Sequence, residues 1–256
     1  MTTAVDDLGI RPFNARSLAL SVLLGQEPPV LSTRALTALA ELFGIAPGTM
    51  RTALSRMVAR DELITDGDGY RLVGRLLERK AAQDIGRRPA GTSWNGDWLV
   101  AVVTVPRRSV AERRAFRTHM ANARMGELRP DTWMRPANLA GPDGDDSLAL
   151  VHGPLTGDDP VSLARRLWPL DEIGRRAQRL GALVEEALPE LTQGRPTALP
   201  ATIALSAAVV RFLRAEPLLP PTLTPQPWPA DALRARYLTF DRAFGRLLGR
   251  TVRAQP

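Results

Sequence analysis

From Thr49 to Arg60 the chain reads TMRTALSRMVAR and interleaves two chemistries at helical spacing. Met50, Ala53, Leu54, Met57 and Val58 recur at i, i+3, i+4, i+7 and i+8, the stripe of a helix that turns one side to a core. The other side carries Thr52, Ser55 and Arg56, flanked by Thr49, Arg51 and Arg60, and no acid occurs before Asp61, where the helix ends. A helix face kept polar for solubility alone usually mixes signs. Hydroxyls and guanidinium groups without carboxylates suit a surface that meets phosphates and base edges. On that reading Thr49, Thr52, Ser55 and Arg56 reach base edges in a major groove, while Arg51 and Arg60 touch phosphates. The competing reading is a small helical domain that binds another protein.

The elements that must position this face are legible around it. A preceding helix is capped by Ser32 or Thr33, whose hydroxyl accepts from backbone N–H groups that have no helical partner. It buries Leu36, Leu39, Ala40 and Phe43 and stops at Gly44, a residue that takes positive φ cheaply. Ile45 plugs the corner, and Pro47 sits at a first-turn position that needs no N–H. A turn this short forces a steep crossing, as in helix-turn-helix modules. Leu63–Thr65, Asp66-Gly67-Asp68-Gly69 and Tyr70–Leu72 then read as a hairpin. A first helix, Ala15 to Leu24 with Leu18, Val22 and Leu23 inward, completes a winged helix-turn-helix expected over residues 14–86. In the hairpin Arg71 is placed to approach the DNA backbone, but Asp66 and Asp68 at the tip repel it; the two readings stand even.

The composition narrows the chemistry. The 256 residues carry a net charge of +7, with no cysteine and only two histidines, His119 and His152. Disulfides, thiolate nucleophiles and cysteine metal sites are excluded, and no HxxxH or HxH spacing is present. Lys80 is the single lysine, so almost all the positive charge is arginine. An excess of Arg, Ala, Pro and Gly fits a GC-rich coding bias as well as a function, and the basic balance points only weakly to an anionic partner. No P-loop, G-x-S-x-G or H-E-x-x-H occurs. The expectation is therefore a non-enzyme with no cofactor and no metal. No run of about eighteen apolar residues is evident and Met1–Phe13 lacks a signal-peptide layout, so the protein is expected in the cytoplasm, away from membranes.

Beyond the hairpin, Val73–Gly86 reads as a connecting helix and Arg87–Thr92 as a linker. A middle domain over 93–153 opens with the β-prone run Trp98–Val105, closed by Pro106. A helix follows from Ser109 to Met125, with a Ser109–Glu112 capping box and with Val110, Phe116 and Met120 toward the sheet. Short strands are expected at Gly126–Leu128, Thr132–Arg135 and Leu148–His152, with Ala140–Asp146 as a linker. This order implies a ferredoxin-like α+β unit. Residues 160–256 are expected to form an all-α domain: Val161–Leu167, Asp171 to about Leu188, Ala201–Arg214 and Ala232 to about Arg250. The proline-dense stretch Glu216–Pro229 cannot be helical and is read as an ordered extended loop over a core. The fold class is thus α+β and multidomain.

Three stretches in this order are similar to the PaaX-type repressors of bacterial phenylacetate catabolism. Gly44–Leu63, with Arg51-Thr52-Ala53-Leu54-Ser55-Arg56 at its centre, resembles that family's recognition-helix region. Trp94-Asn95-Gly96-Asp97-Trp98 looks like the W-[DN]-G-x-W opening of its middle domain. Arg211-Phe212, Pro217-Leu218-Leu219-Pro220 and Trp228-Pro229 resemble its R-F, D-P-x-L-P and W-P signature. The chain departs from the pattern at Ala207, near where the family usually has a histidine, and at Glu216, where it has aspartate. The resemblance implies a homodimer on a palindromic double-stranded operator, with repression relieved by an aryl-acetyl-CoA-type small molecule. Arg211, Trp168 and Trp228 are the residues expected to hold that effector, although packing is the ordinary role of such tryptophans. A ferredoxin-like middle domain also occurs in metal-dependent CRISPR ribonucleases, where an aspartate near the first strand binds Mg²⁺. Asp97 could mimic it, so a nuclease stands as the alternative, beside a protein-interaction scaffold.

Overall fold

Asn14 and Ser17 cap each other's backbone amides, which sets the start of α1 (Ala15–Leu24) in the computed structural model of the chain. Residues 12–87, 93–105, 109–142, 144, 147–157 and 159–253 are described. The expected linker residues 88–92, Pro106, and Asp143, Asp145 and Asp146 lie outside them. Leu18, Val22 and Leu23 are buried, as the periodicity requires. Of the two candidate caps for α2 (Thr33–Leu42), Ser32 takes the role by accepting from Ala35 N at 3.2 Å. Thr33 instead donates its hydroxyl to the Asp68 carbonyl at 2.7 Å, tying the helix start to the hairpin tip. Gly44 turns the chain at φ +67°. Pro47 is the first residue of α3 (Pro47–Val58), against which α1 and α2 pack.

A three-stranded antiparallel sheet completes this part: β1 (Val30–Ser32), β2 (Leu63–Asp66) and β3 (Gly69–Leu72), in the order β1-β3-β2. Residues 63–72 form the expected hairpin, closed by Asp66 opposite Gly69. The strand β1 has no counterpart in the sequence reading, because three residues between prolines and a helix cap are too few to show alternation. It passes so close to β3 that a Cβ on Gly69 would strike the Leu31 carbonyl. The connecting helix α4 (Arg75–Arg87) follows.

The described chain divides into two compact units. Unit 1 holds residues 1–87, 179–211 and 233–256; unit 2 holds 88–178 and 212–232. Unit 2 contains β4 (Asp97–Val103), α5 (Val110–Asn122), β5 (Gly126–Arg129), β6 (Thr132–Pro136) and β7 (Leu148–Pro154). These strands form one antiparallel sheet in the order β5-β6-β4-β7. Leu99, Ala101 and Trp133 on one face pack with Met120 and Met125, and Phe116 packs against this cluster. Val110 does not join them and is 75% exposed. At about 100° per residue it points roughly 120° away from Phe116, off the face that meets the sheet. The connection from β6 to β7 carries no helix among its described residues.

After residue 160 the chain is helical: α6 (Pro160–Leu167), α7 (Leu170–Gln193), α8 (Leu199–Ala215) and α9 (Pro229–Arg253). Their residues are shared out between the two units. Pro196–Ala215, a single turn followed by α8, is long and apolar enough to span a bilayer by length and composition, with mean hydropathy 1.5. This corrects the expectation that no such run exists. Half of that stretch is buried within the chain, as in a core helix.

Candidate nucleic-acid interface

The geometry of α3 begins with its buried side. Met50 and Leu54 are fully buried and Met57 nearly so, while Ala53 and Val58 are half-buried. Each fully buried side chain contributes on the order of 1.5–3 kcal/mol, which fixes the rotation of the helix about its axis. That rotation leaves Thr49, Arg51, Thr52, Ser55, Arg56 and Arg60 exposed together. Thr52 donates its hydroxyl to Gly48 O at 2.9 Å and Ser55 to Arg51 O at 3.1 Å. With their protons engaged by the helix, both oxygens face outward as acceptors. Arg51, Arg56 and Arg60 make no ion pair among the described residues. The nearest acid along the chain with a strong partner, Glu62, is held by Arg16 through bonds of 2.6 and 3.0 Å. That pairing, helped by the charge of Arg60, lowers the Glu62 pKa.

Arg71 has a different setting. It is exposed on β3, but its Nε lies 3.0 Å from Asp66 on the facing strand. The guanidinium that could approach a phosphate is thus already beside a carboxylate.

The residues expected to hold an effector are distributed unevenly. Trp168 and Trp228 are in the interior of unit 2, at 9% and 5% exposure, whereas Arg211 is exposed and belongs to unit 1. The residue that organises this region is Glu216, which the sequence marks only as a departure from the family's aspartate. It is buried, accepts from Trp228 Nε1 at 3.0 Å and from Leu218 N at 3.1 Å. Its backbone carbonyl receives the Arg124 guanidinium, which also donates to Leu213 O at 3.1 Å. Asn138 donates to Leu218 O at 2.8 Å. The stretch 216–229 is therefore an ordered loop over a core, as its apolar residues between prolines imply. The available signal for Glu216 was an acid directly before a proline-dense apolar loop, a place where a carboxylate has work to do if it is buried.

Arg135 stands nearby, 1% exposed, and donates to Pro136 O, Ala123 O and Asn138 Oδ1. Burial, with Arg124 beside it, pulls its pKa down to about 10. Asp97 opens β4; Asn95 donates to its Oδ2 at 2.8 Å and His152 Nδ1 lies 3.9 Å from the same oxygen. Among the described residues no three His, Cys, Asp or Glu side chains come together as metal ligands.

Comparison with known proteins places these two regions. Residues 14–76 match the PaaX-like protein family, and residues 91–142 match the PaaX protein central Cas2-like domain. Among solved structures the chain is similar to the uncharacterized protein Rv0674 from Mycobacterium tuberculosis, at 36% identity and a TM-score of 0.70. That similarity covers 93% of this chain and 98% of the other. No curated protein matches.

Proposed function

This chain belongs to the PaaX-like family, a family of transcriptional regulators, and from that premise we propose that it is a DNA-binding repressor whose residues 14–86 form a winged helix. The observation that carries the proposal is the acid-free outer face of α3, exposed because Met50, Leu54 and Met57 are buried behind it. Thr49, Thr52, Ser55 and Arg56 read base edges in the major groove, and Arg51 and Arg60 hold the flanking phosphates. Arg56 suits a guanine, whose O6 and N7 it can bond together. Thr52 and Ser55, presenting acceptors, suit the amino group of adenine or cytosine.

The protein works as a cytoplasmic homodimer rather than as a catalyst. Two-fold symmetry sets two α3 helices against a palindromic operator, in half-sites one or more helical turns apart. Repression ends when a small acyl-CoA-type effector, of the kind produced in phenylacetate catabolism, binds one dimer geometry more tightly than the other. Only such a difference in affinity moves the equilibrium. Arg211, Trp168 and Trp228 are its candidate contacts.

Selection from a random duplex library, followed by gel-shift titration of the selected site, tests the reading. Arg56→Ala should weaken binding to the selected site by about 5- to 150-fold, the loss of one bidentate base contact at about 1–3 kcal/mol, with little change on unrelated DNA. Equal affinities of variant and parent for the selected site would remove Arg56 from the interface. Failure to select any site would remove the DNA reading itself.

A further inference from the structure

The second half of α9 repeats, elsewhere in unit 1, the property that singles out α3. After Asp241 the chain runs RAFGRLLGRTVRAQP to its last residue without an acid. Ala243, Phe244, Leu247 and Leu248 are buried, and Arg242, Arg246 and Arg250 are exposed at i, i+4 and i+8. At 1.5 Å rise per residue their guanidinium stems stand about 6 Å apart along one line.

Some exposed arginine groups in this chain are answered by acids. Arg16 pairs with Glu62, Arg71 with Asp66 and Arg117 with Glu127. Within α9 itself Arg236 pairs with Glu185 at 2.5 Å. Past Asp241 this stops. Arg242 only returns Nε to the Leu238 carbonyl at 3.1 Å, leaving its terminal nitrogens outward. Arg246 has no hydrogen bond or ion pair among the described residues. Arg250 lies over Gly194, where an added Cβ would come 3.0 Å from its Nη2. A row of positive charge with no internal counterion is complementary to a polyanion.

We propose that Arg242, Arg246 and Arg250 form a second DNA contact, to the phosphate backbone and indifferent to sequence. The inference rests on the DNA-binding reading above and extends the footprint from α3 to the C-terminal helix of the same unit. The first half of α9 is anchored to α4, which follows the hairpin: Arg234 donates to Gly86 O at 3.1 Å, and Arg87 lies over the Tyr237 ring.

The test is the salt dependence of duplex binding by the full-length protein. R242Q/R246Q should lower the slope of log K against log salt by roughly 1.8, two phosphate contacts at about 0.9 each, and weaken operator and unrelated duplexes alike. R242K/R246K should restore the slope, because a phosphate needs a charge rather than a fork. R56A should lower the ratio of operator to unrelated binding. A parental slope in R242Q/R246Q, with R56A still losing discrimination, overturns this inference and leaves the α3 reading standing. A parent that retards no duplex overturns both. If R242Q/R246Q loses affinity only for phosphatidylglycerol vesicles, the row faces an anionic membrane and the DNA assignment fails.

Discussion

Two of the stretches that carry family-like sequence motifs, 44–63 and 211–229, are built in opposite ways. In the first, apolar residues face inward and the polar ones are left exposed and largely unpaired. In the second, Glu216 and Trp228 are buried and bonded to each other. Leu218 is held at positive φ by Glu216 and Asn138 on either side of its peptide groups. A polar group left unpaired at a surface is available to a partner. A polar group paired in the interior is committed to the fold, since removing one member leaves the other desolvated and unsatisfied. Equal visibility as sequence motifs therefore says nothing about equal roles: the first stretch leaves its polar groups exposed at a surface and the second commits Glu216 and Trp228 to the interior of unit 2.

The largest effect that can break this contrast is expected at Trp228. Trp228→Ala removes a buried indole and takes one donor from the buried Glu216 carboxylate, so stability should fall by about 3–5 kcal/mol. Urea unfolding followed by circular dichroism measures it, and the fraction that remains folded should bind operator as the parent does. Should Trp228→Ala keep its unfolding midpoint and instead lose thermal stabilisation by acyl-CoA thioesters, the stretch would be an effector site and the contrast would dissolve.

A pH experiment sharpens the same contrast in unit 1. Tyr237 is 1% exposed and hydrogen-bonded within a group containing Ser206, Asp241 and Arg87. Burial first, and then the charge of Asp241, pushes its pKa up to about 12. The folded state thus holds this proton more tightly than the unfolded chain, whose tyrosine titrates near 10. Stability from this source is complete below about pH 10 and is lost as pH climbs from there through 12, by roughly 3 kcal/mol in all. Arg135, depressed by burial, titrates in the same window with the opposite sign. Subtracting the pH profile of Tyr237→Phe from that of the parent cancels Arg135. A flat difference between pH 9 and 12 would mean that the Tyr237 hydroxyl is not committed to the interior.

What the sequence made legible follows from which physics is local. The periodicity of α3, the turn residue Gly44 and the first-turn Pro47 specify the helix pair without reference to distant residues, and so does the Asp66–Gly69 turn. The run Trp98–Val103 announces a central strand for the same reason. Three things depended on partners far along the chain. The strand β1 is defined by its register with β3, some forty residues away. Glu216 acquires its meaning from Trp228 and from the Arg124 side chain. The ion pair that occupies Arg71 requires the hairpin register, which sets Asp66 one strand across. Val110 shows the converse limit: an apolar residue in an amphipathic helix is inward only if its angle agrees with the rest of the stripe.

The smallest expected effect decides between α3 and the hairpin of residues 63–72. On α3 the arginines are unpaired, whereas on the hairpin Arg71 sits 3.0 Å from Asp66, with both groups exposed. An exposed pair of this kind is worth about 0–1 kcal/mol, so Asp66→Asn should leave the unfolding midpoint nearly unchanged. Its consequence should appear on DNA instead. With the carboxylate gone, Arg71 is released toward the backbone and one negative charge leaves the hairpin, so duplex affinity should rise by up to about fivefold at low salt and converge with the parent as screening grows. The gain should be the same for operator and unrelated sequences, because a phosphate contact carries no sequence information. Gel shifts at two ionic strengths measure it. If Asp66→Asn instead weakens operator binding, the Asp66–Arg71 pair is itself part of the interface, and the hairpin joins α3 in reading DNA.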